Sequence, residues 1–156
     1  MPNKKIEQLK ELILEIEKAI PFKDKMNEKI SKSDIGWQLD HSLKVINNVC
    51  VILKKEHSKP YKKDFNLLRF VLFTLGYIPR GKAKAPKFVN EQKPISSQSL
   101  IEQLNKAKAH VKAIALLDKN AYFTHHAFGI LSKKKTIRFL EIHTKHHLKI
   151  INDILK

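Results

Sequence analysis

The sequence is poor in residues that cross-link or interrupt a chain. Its single cysteine, Cys50, excludes an intramolecular disulfide and is compatible with a reducing compartment. Only four glycines and six prolines occur in 156 residues, so most of the chain is free to form regular secondary structure. Because 42% of the residues are hydrophobic, we expect one domain, residues 1–156, around one core.

Long apolar segments are also missing. The longest apolar run, from Phe70 to Ile78, contains Thr74 and Gly76 and is far shorter than the roughly 20 residues of a membrane span. Residues 1–7 lead directly into a charged helical pattern, without the apolar stretch of a signal peptide. The expectations are therefore no membrane partner and a cytoplasmic location.

Arginine is scarce although the chain carries a formal net charge of +16. A basic protein attracts nucleic acid non-specifically, but base recognition and phosphate clamps favour the rigid fork of arginine over lysine. Only Arg69, Arg80 and Arg138 are arginines, and the lysines are spread along the chain. The densest group, residues 133–135, falls where a helix should begin, which is electrostatically unfavourable. A lysine-rich solvated surface is favoured over nucleic-acid binding.

Apolar residues recur at helical spacing and predict an all-α fold. Five helices are expected, at about residues 3–20, 34–57, 64–76, 99–118 and 133 to near the C-terminus, with Ser33 or Asp34, a Ser99–Glu102 capping box and Ser132 as N-terminal caps. No strand is expected, residues 120–131 should form a turn, and residues 77–96 an irregular segment. A four-helix bundle with one short accessory helix is the economical architecture.

Two histidines of the last predicted helix face the same way. At roughly 100° per residue, His147 lies about 20° and His143 about 60° from the apolar direction, whereas His146 lies about 120° away beside lysines. Residues four apart on a helix are neighbours, so His143 and His147 can share a metal ion. The alternative is a pair of histidines at the edge of the core, hydrogen-bonded to other side chains.

A third histidine, His41, lies on the second predicted helix. It is off the main apolar stripe but belongs to a second stripe, Trp37, His41, Val45, Asn48 and Ile52. A helix with two stripes touches two neighbours, so His41 can face the interior beside Trp37. The pattern is equally compatible with a partly exposed histidine. His125 and His126 lie in the aromatic turn, either close to a site or as simple turn residues, and Cys50 fits a buried, inert thiol.

The C-terminal histidines follow a familiar order. Residues 122–132, with His125, His126 and Gly129, followed by His143-x-x-His146-His147, resemble the signature of DUF1569, a branch of the DinB-like (DinB/YfiT) superfamily. Residues 36–43 resemble the superfamily's helix with a single histidine, and residues 79–86 resemble a loop of this branch. The similarity covers residues from about 33 to the end.

The resemblance implies a four-helix bundle in which His41, His143 and His147 bind a divalent metal ion, nickel or zinc. Trp37, His125, His126 and His146 are then candidates for its surroundings or a substrate pocket. The sequence departs from the family at three positions: His126 replaces a proline, Thr136 an aromatic residue and Ile150 a glutamine. With Ile150, that turn lacks the polar side chain that the family has there.

Family members imply a function as well. Characterised relatives include mycothiol-dependent maleylpyruvate isomerase and S-transferases that use mycothiol or bacillithiol. A metal-dependent thiol S-transferase acting on a small molecule is therefore one expectation, with Lys82, Lys84 and Lys87 at an electropositive entrance. The alternatives are a non-enzymatic binding module and, third, a basic nucleic-acid-associated protein. A homodimer is compatible with any of them.

Overall fold

The computed structural model describes residues 4–57, 59–81 and 93–156, and these are mostly helical. Five α-helices are present in the described ranges: α1 (Lys4–Ala19), α2 (Ile35–Leu53), α3 (Leu67–Leu75), α4 (Ser97–Ala115) and α5 (Lys133–Leu155). Pro21 lies in a short 3-10 turn that ends the first helical segment. The five predicted helices are confirmed. None of the described helices is both long and apolar enough to cross a membrane.

The all-α prediction is wrong in one place. The predicted turn at residues 120–131 contains two antiparallel strands, β1 (Tyr122–His125) and β2 (Gly129–Ser132). Phe123 pairs with Leu131, and both side chains are buried. Each strand has only four residues, so its alternation is too short to stand out from the aromatic composition of the segment.

A buried arginine holds this hairpin. The Arg69 guanidinium of α3 donates to Asp64 Oδ1 at 2.8 Å and to the carbonyl oxygens of Phe128 and Ile130 at 2.9 and 3.2 Å. Asp64 Oδ2 accepts the Ile130 backbone N–H at 3.1 Å. Gly129 has φ +71, and a Cβ there would also meet this carboxylate. The close approach therefore requires glycine at position 129.

Helix starts show where local signals decided and where they did not. Asp34 and Ser132 cap α2 and α5, as predicted. The Ser99 capping box is wrong: Ser96 Oγ accepts the Ser99 N–H, and α4 begins two residues earlier. Similarly α3 begins at Leu67, capped by Asn66, because the predicted start at Asp64 is occupied by the contacts to Arg69 and the hairpin.

Four helices share the core. α2 packs against α4 and α5, and α1 packs against α5 and α4, with apolar side chains from all four in one buried cluster. Lys133, expected to be unfavourable at the start of α5, instead donates through Nζ to the carbonyl oxygens of Ala115 and Leu117 at 2.8 and 2.6 Å. Its charge therefore stabilises the C-terminal end of α4.

Candidate metal centre

The packing of α2 against α5 brings His41, His143 and His147 together. One ring nitrogen from each lies within 4.8 Å of the others. The ring centroids are 4.6 Å apart for His143 and His147, 4.8 Å for His41 and His147, and 5.2 Å for His41 and His143. His147 is buried, and the other two are half-buried. The structure therefore selects the interior orientation of His41 that the sequence left open.

Trp37 forms one wall of this cluster. It lies one turn before His41 on α2, and the two rings stack with centroids 4.9 Å apart and an interplanar angle of 5°. Its ring is also 6.2 Å from that of His147. A stacked indole restricts the rotation of the imidazole and covers one of its faces, so Trp37 fixes the plane of His41.

Gln38 contacts the cluster directly, although the sequence analysis did not single it out. Its side chain is buried, with Oε1 2.6 Å from His147 Nδ1 and Nε2 3.2 Å from Ser31 Oγ. An amide oxygen can only accept, so Nδ1 of His147 carries the proton and Nε2 keeps its lone pair. Gln38 lies one turn after Ile35 and directly before Leu39, at the edge of the main apolar stripe of α2, and a polar residue in that position was the signal that could have revealed it.

All three imidazoles are held neutral. Burial lowers the pKa of His143 to about 3, with further contributions from His41 and His146. Burial also lowers the pKa of His147 well below its ordinary value, assisted by the other two rings. For His41, burial lowers the pKa and neighbouring Asp40 opposes the shift. Neutral imidazole is the form that binds metals, so the three lone pairs need no deprotonation at neutral pH.

One unsatisfied nitrogen lies within the histidine cluster. His143 Nδ1 is inaccessible to solvent and makes no hydrogen bond with any residue that the structure describes. Buried polar atoms without partners are uncommon, and of the six in the described part of the chain this one belongs to a cluster of potential metal ligands. Zinc bonds to histidine of about 2.0–2.1 Å separate the nitrogens of a tetrahedral site by roughly 3.4 Å, so small ring rotations suffice here. The donor set therefore fits a divalent metal ion.

His146 lies beside the cluster. Its half-buried ring meets that of His147 edge-on, with centroids 5.0 Å apart, and it hydrogen-bonds the backbone of Ile78. Nearby, Arg80 Nη2 donates to Asp153 Oδ2 of α5 at 2.6 Å. The described start of the irregular segment thus borders the cluster, whereas Lys82, Lys84 and Lys87 lie outside the described residues.

His125 and His126 are farther away. His125 Nδ1 accepts the backbone N–H groups of Ala127 and Phe128 at 3.0 and 3.1 Å, which organises the hairpin loop. The Phe139 ring contacts both His125 and His143, so His125 lies one ring removed from the cluster. Burial lowers the pKa of His125 to about 4. His126 is exposed and stacks on His125 at 4.4 Å, one ring farther out.

Cys50 takes no part in the cluster. It is fully buried, as predicted, and burial raises the pKa of its thiol to about 12. A thiol with such a pKa stays protonated and unreactive at neutral pH. The sequence's only cysteine is therefore a core residue.

Fold and site together define a class: a mostly helical protein with a cluster of three neutral histidines that can hold a metal ion. Comparisons with protein-family models, curated proteins and solved structures found no match to this chain. The resemblance to DUF1569 and the DinB-like superfamily therefore stays a prediction.

Proposed function

We propose that the protein binds one divalent metal ion through His41, His143 and His147. The observation that carries this proposal is the convergence of three neutral imidazoles whose ligand atoms lie within 4.8 Å of one another. Gln38 would orient His147 through Nδ1, and Trp37 would fix His41 by stacking on its ring. Oriented, partly desolvated nitrogen donors suit nickel or zinc better than magnesium or calcium, which prefer oxygen.

The four mutually packed helices support a DinB-like bundle as the proposed architecture, with α3 as the accessory helix. Each of α1, α2, α4 and α5 packs against two others, and the histidines project from α2 and α5 into the space between them. Sites built from facing helices are typical of metal-binding bundles.

Within this proposal the protein is a thiol S-transferase or related enzyme. Three protein ligands leave a position open, and a bound ion would supply a Lewis acid that lowers the pKa of an incoming thiol. His146 lies beside the site, and the formal net charge of +16 would favour an anionic low-molecular-weight thiol as substrate. The nearby aromatic rings of Trp37 and Phe139 suit an apolar acceptor.

Metal analysis tests the first part. Protein purified without a histidine tag should contain about one nickel or zinc ion per chain, and His143→Ala should contain almost none. The exposed His126 offers a matched control, because His126→Ala should keep the metal. Metal-free wild-type protein that also fails to bind added nickel or zinc would contradict the proposal and leave a non-enzymatic binding module.

Thiol titration tests the second part. Cobalt-substituted protein should develop a thiolate-to-metal charge-transfer band with at least one of bacillithiol, mycothiol, glutathione and coenzyme A. Absence of the band with all four, together with no transfer to an electrophilic acceptor, would remove the transferase proposal and retain the metal site.

Nucleic-acid binding ranks behind both. All three arginines are engaged with carboxylates: Arg69 with Asp64, Arg80 with Asp153, and Arg138 with Glu141. Their guanidinium groups are thus committed within the chain. Any DNA binding by the remaining lysines should be sequence-independent and fall steeply with salt.

A further inference from the structure

Helix α3 presents an unusual surface. Of its nine residues only Arg69 is buried. Seven large apolar side chains in and beside the helix are between 42% and 78% exposed, and we call them the α3 surface: Phe65, Leu67, Leu68, Phe70, Val71, Leu75 and Tyr77. Single exposed apolar residues are ordinary, but a contiguous set of this size marks an interaction site.

The exposed residues of the helix share one face. At roughly 100° per residue, the helical members of the α3 surface lie on one side and Arg69 on the other. The one polar side chain among them, Thr74, donates its hydroxyl to the Phe70 carbonyl at 2.7 Å within the same helix. The helical part of the face therefore presents no charge of its own, and charges lie only at its edges: Lys149 Nζ is 5.9 Å from the Tyr77 ring centroid, and Lys63 and Lys135 border Phe65 and Phe70.

The opposite side attaches the helix to the rest of the chain. Arg69 reaches Asp64 and the hairpin, Asn66 Nδ2 donates to the Ala127 carbonyl at 3.0 Å, and Arg138 Nη2 donates to the Phe73 carbonyl at 3.0 Å. The Phe73 and Phe128 rings meet edge-on at 5.4 Å. These contacts hold α3 without using the α3 surface, which remains available as a preformed apolar face.

Its size matches one half of a protein interface. An aromatic side chain offers about 150–250 Å² and an aliphatic one somewhat less, so the exposed fractions amount to on the order of 700 Å². A standard interface buries about 800 Å² on each partner, and homodimer interfaces are apolar and depleted in charge at the centre.

We propose that the α3 surface docks against the same surface of a second copy of this chain. A twofold interface requires a surface that is complementary to itself. A neutral apolar face meets this requirement because it needs no matching charges. Helices that lie on membranes instead carry lysines along the opposite polar face. The one basic residue of α3 is Arg69, which is buried in its ion pair with Asp64.

The charge of the chain predicts how the dimer responds to salt. Two chains of formal net charge +16 repel one another. Exposed basic residues at the edges of the surface, Lys62, Lys63 and Arg80, would stay in solvent at the rim. Salt screens charge repulsion but leaves apolar contacts in place. The dimer should therefore be at least as stable at high as at low salt.

Sedimentation equilibrium at micromolar concentration, in about 0.15 M and about 0.5 M NaCl, tests the proposal. The wild-type mass should be twice 18.1 kDa at the higher salt. The double variant Leu67→Glu/Phe70→Glu should raise the dimer dissociation constant at least about 100-fold. Glutamate lowers the net charge, so loss of the dimer could not be attributed to added repulsion. Leu14→Glu, at an exposed position of α1, is the matched control and should remain dimeric.

Circular dichroism would verify that each variant is folded. Asp64 is not used as a control position, because Asp64→Asn would affect the hairpin. A wild-type monomer at both salt concentrations overturns the proposal. So does a dimer that survives the double substitution, or one that dissociates as salt rises. Flotation of a monomer with phosphatidylserine vesicles would also overturn it and assign the α3 surface to a membrane.

Discussion

Two buried polar regions of helix α5, Glu141 and the histidine cluster, differ in how far the chain satisfies their hydrogen bonds. Glu141 is 1% exposed, and its two carboxylate oxygens accept from Lys5, Arg138 and Lys145 at 2.7–3.1 Å. Hydrogen bonds from these three cations overcome the effect of burial and lower the pKa of Glu141 to about 2. Its charge is neutralised within the chain, and this group links α1 to α5.

The histidine cluster includes His143, two residues farther along α5, and its hydrogen bonds are not all satisfied. Its three rings are neutral, each with one lone pair, and they cannot donate to one another and all remain ligands. His147 has a hydrogen-bond partner in Gln38, but His143 Nδ1 has none in the described ranges. A buried polar group whose hydrogen bonds are all made within the chain indicates a structural role. Neutral imidazole nitrogens that converge and lack partners indicate a ligand site.

The largest expected effect is on the metal affinity of the histidine cluster. His147→Ala should weaken metal binding by at least about a thousandfold, because it removes one of three ligands and each tenfold corresponds to about 1.4 kcal/mol. His146→Ala should have a much smaller effect, since its ring only borders the cluster. Isothermal titration of nickel or zinc into both variants measures the difference. Equal losses would show that the two histidines were assigned incorrectly.

Removing the ion should destabilise the protein. A ligand at 100 times its dissociation constant stabilises the folded state by about 2.7 kcal/mol. Chelation should therefore lower the melting temperature by several degrees, at about 2–8 °C per kcal/mol for a domain of this size. Differential scanning calorimetry with and without chelator measures the shift. His143→Ala is the control, and an equal shift in that variant would mean the chelator acts elsewhere.

The satisfied carboxylate, Glu141, should contribute to stability. Glu141→Gln should lower the free energy of unfolding by about 2 kcal/mol near neutral pH, after discounting the partly exposed lysines. The folded pKa is depressed to about 2 from 4.5, so this stability is present above pH 4.5 and is lost as the pH falls towards 2. Urea titrations of both proteins across this range should converge at low pH. If the difference in free energy of unfolding between the two proteins stayed constant with pH, the ionisation of Glu141 would not be its cause.

The smallest expected effect is on the orientation of a ligand. Gln38→Leu should weaken metal binding about tenfold, because His147 loses the acceptor that fixes its tautomer while the nitrogen ligands stay in place. Gln38→Glu should restore affinity, since a carboxylate also accepts from Nδ1. Metal titrations against wild type provide the measurement. If the glutamate variant binds no better than the leucine variant, Gln38 acts by packing alone.

Much of the helical part followed from local signals. Asp34, Ser132 and Gly76 end or begin helices where their side chains or backbone predicted, because capping involves only neighbouring residues. Ser99 misled because Ser96 offers the same hydroxyl one turn earlier. The hairpin was missed because its stability depends on Asp64 and Arg69, about 60 residues away, rather than on its own short strands.

The sequence by itself determined which faces of α2 and α5 are apolar, and so placed His143 and His147 towards the interior. Only the tertiary structure decided which faces meet. The approach of His41, the hydrogen bond from His147 to Gln38 across 109 positions and the unsatisfied Nδ1 of His143 all depend on how α2 packs against α5. Periodicity records direction around one helix axis, whereas distance between helices depends on the packing of the whole core.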